Sequence, residues 1–329
     1  MTTPPEEVLR AYRLPPPWEV ERVGGTRNVN FRVRHAEGSV FLRRRHPDYC
    51  DEGWVRFDHD ALSHLSRLGA PVNVPLTARD GGTSIRCEGQ LYEAHPWVEG
   101  NPFPGTEEAI RSVASSLARF HRAGASWGGA YDKGGYRRGE MDPTRLARNL
   151  ADAQGISAEG DDLAAGYLAQ VNMGGARLAH DLYDRLPRTL VHGDVQPANA
   201  IFAGARLSAF VDFDWMSRQP VIYDLAYGVI LFCGRRERPI DGADIWSLTG
   251  PFVFDEAAAR GFLRAYLEAG GELSDALRPA LMEQIRLTWA HVRIDGARKV
   301  AAPDRPRFLG RDPAGPFEWI EERKNGDWF

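Results

Sequence analysis

One segment, from Arg188 to Trp215, restricts the fold of this chain more than any other part of its sequence. It reads RTLVHGDVQPANAIFAGARLSAFVDFDW, in which three short apolar runs enclose a polar loop. Runs of this length are typical of brief strands. Asp194 follows the first run, Asp212 follows the last, and Asn199 lies between them. The pattern therefore predicts short strands that hold two carboxylates and one amide around a common loop, with Asp212 on the strand next to that loop.

These three side chains suit phosphoryl transfer. That reaction needs a carboxylate near the attacking hydroxyl and oxygen ligands for a Mg²⁺ ion that bridges the nucleotide phosphates. Mg²⁺ keeps several waters, so one carboxylate and one amide oxygen are a sufficient protein contribution. Taken alone, HGD or DFD would usually be a turn or a capped helix start. Because both occur in order across a short hairpin, we predict a phosphotransferase centre at Asp194, Asn199 and Asp212.

The order HGDxxxxN, strand and DFD resembles the aminoglycoside phosphotransferase and choline kinase superfamily, and Tyr223–Ala226 (YDLA) is similar to a later segment of that family. The resemblance runs from about Val23 to about Val292, and FDHDALSHLSRLGAPV together with DFDW is closest to its homoserine-kinase-like branch. It implies an α+β, two-lobed protein-kinase-like fold. The N-lobe would be small, antiparallel and β-rich with one helix, and the C-lobe larger and mainly helical.

The same resemblance implies roles for the site residues. Asp194 would be the catalytic base, Asn199 and Asp212 would bind Mg²⁺, and His192 and Asp224 would support the catalytic loop. ATP would supply the γ-phosphate, and the acceptor would be a hydroxyl of a small molecule: an amino acid, amino alcohol, sugar or antibiotic. Two alternatives stay open, a protein Ser/Thr kinase of the same fold and a catalytically impaired nucleotide-binding pseudokinase.

The first hundred residues carry mostly strand signals. Alternating or β-branched runs between turn residues predict five strands, at Trp18–Val23, Asn30–Arg34, Ser39–Arg44, Ser84–Cys87 and Gln90–His95. Helical spacing of apolar residues predicts one helix from Gly53 to Leu68. Proline and glycine then cluster between Pro96 and Gly105. We therefore predict an N-lobe over residues 1–100, with a hinge near 93–100, and a C-lobe over residues 101–329.

Helical patterns dominate beyond this break. Thr106 and Asp255 each precede an amphipathic run and are suited to cap the first turn of a helix. A further helix is predicted from apolar residues at helical spacing, namely Leu281, Ile285, Trp289 and Val292.

Between the first two predicted strands lies a glycine loop, Gly24–Asn30 (GGTRNVN). Glycine and small polar residues let backbone N–H groups approach anionic oxygens. The loop lacks a GxGxxG pattern, and Gly-Gly alone is more often a plain hairpin. Its position favours phosphate binding, with Gly25, Thr26 and Asn28 as the candidate contacts.

Lysine is scarce in this chain, where the only three are Lys133, Lys299 and Lys324. Kinases that the sequence resembles place a lysine on the third strand, paired with an acid on the following helix. Arg43 aligns best with that lysine, and a guanidinium can bridge phosphates. The pattern F-acid-H-x-x-L favours Asp58 as its partner, with Asp60 the second choice.

The segment Gln90–Glu99 resembles the strand and hinge between the lobes, where backbone groups bind adenine. Glu93 to Trp97 are the candidate residues, and Glu93 and His95 are taken as cofactor-binding positions. Because such contacts are made by the backbone, the side chains carry little information.

Composition excludes several other classes of protein. A formal net charge of −4 gives no reason to expect nucleic-acid binding. No apolar stretch approaches the roughly 18 residues of a membrane span, and the N-terminus lacks the features of a secretory signal. Three widely spaced cysteines without a CxxC pattern suit reduced thiols. We predict a cytoplasmic protein with no membrane or nucleic-acid partner and an unassigned oligomeric state.

The acceptor site is predicted only as a region of the C-lobe. Candidate lining segments are Tyr136–Met141, Trp215–Arg218 and the helix that carries Trp289, His291 and Arg293. These segments and Arg286 are richer in arginine than in acids, which favours a small or carboxylate-bearing acceptor such as homoserine over a polycationic one.

Overall fold

A computed structural model describes most of the chain. The described residues are 3–25, 27–129, 133, 158–178, 183, 185–238, 240, 244–275, 277–311 and 316–323.

The N-terminal part is built on one antiparallel sheet. Its five strands are β1 (Glu19–Val23), β2 (Val29–His35), β3 (Gly38–Arg44), β4 (Ile85–Cys87) and β5 (Gln90–Pro96). Their order is β1-β2-β3-β5-β4, and every pairing is antiparallel. The register sets Arg43 on β3 opposite Glu93 on β5. All five predicted strands are present, and no end is shifted by more than one residue.

Two helices accompany this sheet, where the sequence pattern predicts one. Helix α2 (Glu52–Arg67) is the predicted one, and Asp51 begins it by accepting the Trp54 N–H at 3.0 Å. Helix α1 (Glu6–Ala11) was not predicted. It is too short for a periodic pattern, and the buried Val8 and Leu9 show that packing on the sheet stabilises it.

The described residues form two hydrophobic cores. The smaller lies between one face of the sheet and α1, and its residues include Phe31, Leu42 and Tyr92. The larger fills the helical part, and it also takes in Phe57 and Leu62 of α2. Because α2 packs into the core of the helical part, the positions of its polar side chains are fixed relative to that part.

The helical part contains seven helices among its described residues. They are α3 (Glu107–Ala125), α4 (Ala158–Leu178), α5 (Ile222–Cys233), α6 (Glu256–Glu268), α7 (Leu277–Arg298), α8 (Arg305–Gly310) and α9 (Pro316–Glu322). Thr106 caps α3 and Asp255 caps α6, as predicted. Within the described ranges, no helix is both long and apolar enough to cross a membrane.

Two small pairs of strands lie around the polar loop of the segment from Arg188 to Trp215. They are formed by β6 (Arg188–Val191), β7 (Ala200–Ala203), β8 (Arg206–Phe210) and β9 (Ser217–Pro220). β6 pairs with β9, and β7 pairs with β8 in a hairpin. The predicted short strands are therefore present around the polar loop. The division of the chain near residue 100 stays a prediction.

Thr106→Ala should weaken the start of α3. The Thr106 hydroxyl accepts the Ala109 N–H at 3.3 Å, and losing such a cap costs about 1 kcal/mol of unfolding free energy. Urea denaturation measures the change. Thr106→Ser keeps the accepting oxygen and should stay close to the parent protein, so an equal loss in both variants would contradict the assigned cap.

Candidate active site

The loop His192–Asn199, called the catalytic loop below, is anchored by Asp224 at the start of α5. The fully buried Asp224 carboxylate accepts the His192 N–H at 2.7 Å on one oxygen and the Gly193 N–H at 2.9 Å on the other. His121 of α3 contacts the first oxygen at 3.1 Å. Such charge-assisted hydrogen bonds fix a loop firmly. Asp224 thus has the supporting position that the sequence implied.

Gly193 is required at its position. Its φ is +84°, and a Cβ there would lie 2.1 Å from the carbonyl oxygen of Trp215. No side chain fits at that distance, so the catalytic loop can lie against the segment after Asp212 only with glycine at this point.

His192 acts on the loop backbone. Its Nδ1 accepts the Asp194 N–H at 3.2 Å, so the ring proton is assigned to Nε2, which donates to the Val211 carbonyl at 3.0 Å. The ring is fully buried and lies 4.6 Å from the ring of Phe213. Both nitrogens are occupied, and these contacts are those of a supporting residue.

Asp194 has one carboxylate oxygen held and one available. Its Oδ2 accepts Gln196 Nε2 at 2.7 Å and Asn199 Nδ2 at 2.8 Å. Asn199 Nδ2 also donates to the Asp194 carbonyl at 3.0 Å. Within the described part of the chain, Asp194 Oδ1 and Asn199 Oδ1 make no hydrogen bond. The arrangement orients a carboxylate oxygen and an amide oxygen side by side.

Asp212 follows a residue that is hydrogen-bonded to the catalytic loop. The Val211 N–H donates to the Asn199 carbonyl at 3.0 Å, so residue 211 is bonded to the catalytic loop on both sides. Strand β8 ends at Phe210, and Asp212 has a left-handed φ of +65°. The expectation that Asp212 lies on a strand was therefore wrong, because this turn ends the strand and redirects the chain.

The Asp212 carboxylate is 41% exposed. Its pKa is raised by desolvation and then by repulsion from Asp214 and Asp194, while Arg43 opposes the rise. A divalent cation would relieve that repulsion. Carboxylate and amide oxygens are the donors that hard cations prefer, so Asp212 and Asn199 fit such an ion.

Arg43 faces the DFD segment, Asp212–Asp214, and not α2. Its guanidinium lies 2.9 Å from Asp214, 3.1 Å from Asp212 and 3.6 Å from Glu93. Burial alone would lower the pKa of Arg43, but the three carboxylates outweigh it and raise that pKa. The predicted pairing of Arg43 with Asp58 is wrong, because the path of the DFD segment brings two carboxylates closer to β3.

Asp58 pairs with two other cations, Arg45 and Lys133. Arg45 Nη2 lies 3.3 Å from Asp58 Oδ2, and Lys133 forms an ion pair with Asp58 Oδ1. Asp60, the second choice, is exposed. The sequence signal for Arg45 was its place two residues after Arg43, which puts both side chains on one face of an extended chain. For Lys133 the signal was that it is the first lysine of the chain.

Glu93 is a buried partner of Arg45. Its Oε2 accepts Arg45 Nε at 2.7 Å and lies 2.9 Å from His59 Nε2. Burial would raise the pKa of Glu93, but Arg45, His59 and His95 hold it well below the usual range. His95 Nδ1 lies 3.2 Å from the Asn73 carbonyl. Both side chains are thus engaged within the protein, and adenine binding by the backbone of Glu93 and His95 stays a prediction.

The glycine loop is tied to the DFD segment. Asn28 Nδ2 donates to Asp214 Oδ2 at 2.6 Å, and Asn28 Oδ1 accepts the His46 N–H at 2.9 Å. Gly25 has a φ of +132°, where a Cβ would lie 2.6 Å from Asn30 Nδ2. Thr26 lies outside the described residues. The Asn28 amide is thus engaged within the protein, and phosphate binding by Gly25, Thr26 and Asn28 stays a prediction.

Two arginines of the expected acceptor region are internal. Arg286 is fully buried and bonded to Glu283 at 2.9 Å and to Glu321 at 2.6 Å. Arg293 is fully buried as well and donates to the Phe308 carbonyl at 2.7 Å. Neither can face an acceptor, so they no longer favour a carboxylate-bearing one. Tyr136–Met141 lie outside the described residues.

Comparison with known proteins gives a family match over most of the chain. A model described as "Phosphotransferase enzyme family" matches residues 19–280. The homoserine kinase of Hyphomonas neptunium is 31% identical over 166 residues, which are 50% of this chain and 48% of that protein. The match thus spans about half the length of that relative. The homoserine kinase of Bradyrhizobium diazoefficiens is 25% identical over 303 residues, 91% of this chain and 84% of that protein.

Among solved structures, amicoumacin kinase hAmiN in complex with AMP-PNP, Ca²⁺ and Ami has a similar fold. The TM-score is 0.67 at 14% identity, over 97% of this chain and 93% of that one. The α+β, two-lobed protein-kinase-like fold is therefore confirmed.

Gly193→Ala should destabilise the protein more than Gly204→Ala. Both glycines have a positive φ, which costs a residue with a Cβ roughly 1–2 kcal/mol. At Gly193 the Cβ would also meet the Trp215 carbonyl, whereas at Gly204 it would enter open space. Urea denaturation of both variants measures the difference. Equal losses of unfolding free energy would contradict the close approach of the two segments.

Proposed function

This chain belongs to the phosphotransferase enzyme family, and we propose that it transfers the γ-phosphoryl group of ATP to a hydroxyl of a small molecule. The observation that carries the proposal is the arrangement of Asp194, whose Oδ2 is held by Gln196 and Asn199. Its Oδ1 is left to accept a proton from the acceptor hydroxyl. In a loose transition state, orienting the hydroxyl and taking its proton late is sufficient, so a raised pKa is unnecessary.

Asn199 Oδ1 and the Asp212 carboxylate would hold Mg²⁺ in this proposal. The ion, when bound, would neutralise charge on the nucleotide phosphates. Arg43 would add a fixed positive charge beside the phosphates, and the backbone of the glycine loop would donate hydrogen bonds to them. The backbone of Glu93–Trp97 would contact adenine. A cytoplasmic location accompanies the proposal, because ATP is available there.

The acceptor is proposed as an amino acid, amino alcohol, sugar or antibiotic that carries a free hydroxyl. Homoserine is the first compound to test, because two relatives named homoserine kinase align with this chain, one of them over 91% of its length. The internal positions of Arg286 and Arg293 give no support for any one acceptor.

The decisive assay measures ADP release from Mg-ATP with a panel of such acceptors. A member of the panel should stimulate ADP release, and Asp194→Asn should lower kcat by about 10²–10⁴-fold, because the general base is lost. The KM for ATP should change little. Asp60→Asn, which alters an exposed acid of α2, is the control and should behave as the parent protein.

Other results would direct the assignment elsewhere. Mg-ATP binding without turnover on any acceptor would favour the pseudokinase alternative. Transfer to serine or threonine of a protein, with none to the panel, would favour a protein kinase. Either result would overturn the proposal.

Asp212→Asn should raise the Mg²⁺ concentration needed for the half-maximal rate. The substitution removes the charge that attracts the cation but keeps the size of the side chain, and we expect a shift of at least about tenfold. Titration of the initial rate with Mg²⁺ at saturating ATP measures it. A lowered rate with an unchanged Mg²⁺ requirement would show that Asp212 does not bind the metal.

A further inference from the structure

Lys133 is a buried lysine with no role in the chemistry described so far. It is 3% exposed, and its ion-pair partner Asp58 is 1% exposed. Charged side chains are almost never this deeply buried unless they are paired. The pair lies between α2 and the DFD segment, where it can hold the two together.

The Lys133 ammonium joins two separate elements. It pairs with Asp58 Oδ1 on α2, and it donates to the backbone carbonyl of Asp214 at 3.0 Å. The other oxygen of Asp58 is taken by Arg45 at 3.3 Å. Each carboxylate oxygen of Asp58 thus pairs with its own cation. Of these two cations, Lys133 is the one that also donates a hydrogen bond to the DFD segment.

The charges balance around this lysine. We call the following groups the buried ion-pair cluster: Arg43, Arg45, Lys133, Asp58, Glu93 and Asp214. Its three cations match its three carboxylates. Asp212 lies at the edge of the cluster and is the partly exposed fourth carboxylate. With Lys133, the net charge of the buried ion-pair cluster is zero. The charge of Asp212 then has no cation of its own within the cluster.

Direct contact between Lys133 and a phosphate is excluded by its burial. Its ammonium is enclosed and already bonded to Asp58 and Asp214. The guanidinium beside Asp212 belongs to Arg43. Lys133 can act on the reaction only through the elements that it holds.

We propose that Lys133 is a positioning residue, which rests on the proposed phosphotransferase function. It makes the ion pair with the acid of α2 that the sequence predicts for Arg43, and it thereby fixes the DFD segment relative to that helix. The position of Asp212 beside the catalytic loop depends on this link.

The two partners keep each other charged. Burial lowers the pKa of Lys133, and Asp58 opposes that change most strongly. Burial raises the pKa of Asp58, and Lys133 is the largest opposing influence. Removing either residue would therefore leave an unpaired charge in the interior, which is strongly unfavourable.

The test compares Lys133→Met, Asp58→Asn and the double variant. Lys133→Met should lower kcat by about 100-fold, because a small displacement of reacting groups has an effect of that size, while the KM for ATP changes much less. The single variant should also unfold at lower urea concentration. The double variant leaves neither partner charge unpaired, so it should recover part of the stability while kcat stays as low as in the single variant.

A surface lysine provides the matched control. Lys299 follows α7 directly, is 59% exposed and forms a pair of 2.7 Å with Asp295 of that helix. Exposed pairs of this kind contribute little to stability. Lys299→Met should therefore leave kcat, KM and the urea midpoint unchanged.

Two outcomes would overturn the proposal. If kcat recovers with stability in the double variant, Lys133 serves only to balance buried charge. If the losses of the single variants add in the double variant, the two residues are not coupled. Should the parent protein phosphorylate no acceptor, the proposed function fails, and the urea midpoints of the same variants still decide whether Lys133 and Asp58 act as a pair.

Discussion

The contact of Arg43 with Asp212 and Asp214 is the interaction on which the two parts of this molecule most depend. It joins the third strand of the sheet to the segment that follows the catalytic loop. Removal of Arg43 or Asp214 would leave a buried charge without its partner, which is strongly destabilising. The sheet, α2 and the DFD segment are therefore held together by charge, and the larger hydrophobic core also joins α2 to the helical part.

The catalytic loop is fixed by different means. Asp224 accepts two of its backbone N–H groups, and His192 bonds to backbone on either side. These contacts require a particular backbone geometry. The side chains of Asp194 and Asn199 are consequently set by a rigid backbone, as preorganised electrostatic stabilisation requires. Charge thus sets where Asp212 lies, and backbone hydrogen bonds set where Asp194 lies.

Local features of the sequence predicted much of this molecule. The strands, α2 and the caps at Thr106 and Asp255 follow from signals within a few residues. The pairing of side chains from different elements could not be predicted from such local signals. Alternation along an extended chain shows that Arg43 and Arg45 share a face, but which acid each meets depends on the packing of α2 and on the turn at Asp212. Lys133 meets Asp58 only in the folded chain, since no local pattern links positions so far apart.

The arginine on β3 also determines how the protein would respond to amine-directed chemistry. No lysine precedes position 133, so the sheet contains no side-chain amine. A guanidinium stays protonated at any ordinary pH and is not an acyl acceptor, whereas a lysine amine is one when it loses its proton. Nucleotide analogues that carry an acyl phosphate label kinases through such an amine. They would leave Arg43 unmodified, and Lys133 is enclosed. The position on β3 that Arg43 occupies is therefore closed to this labelling, whatever the affinity of the site for the nucleotide.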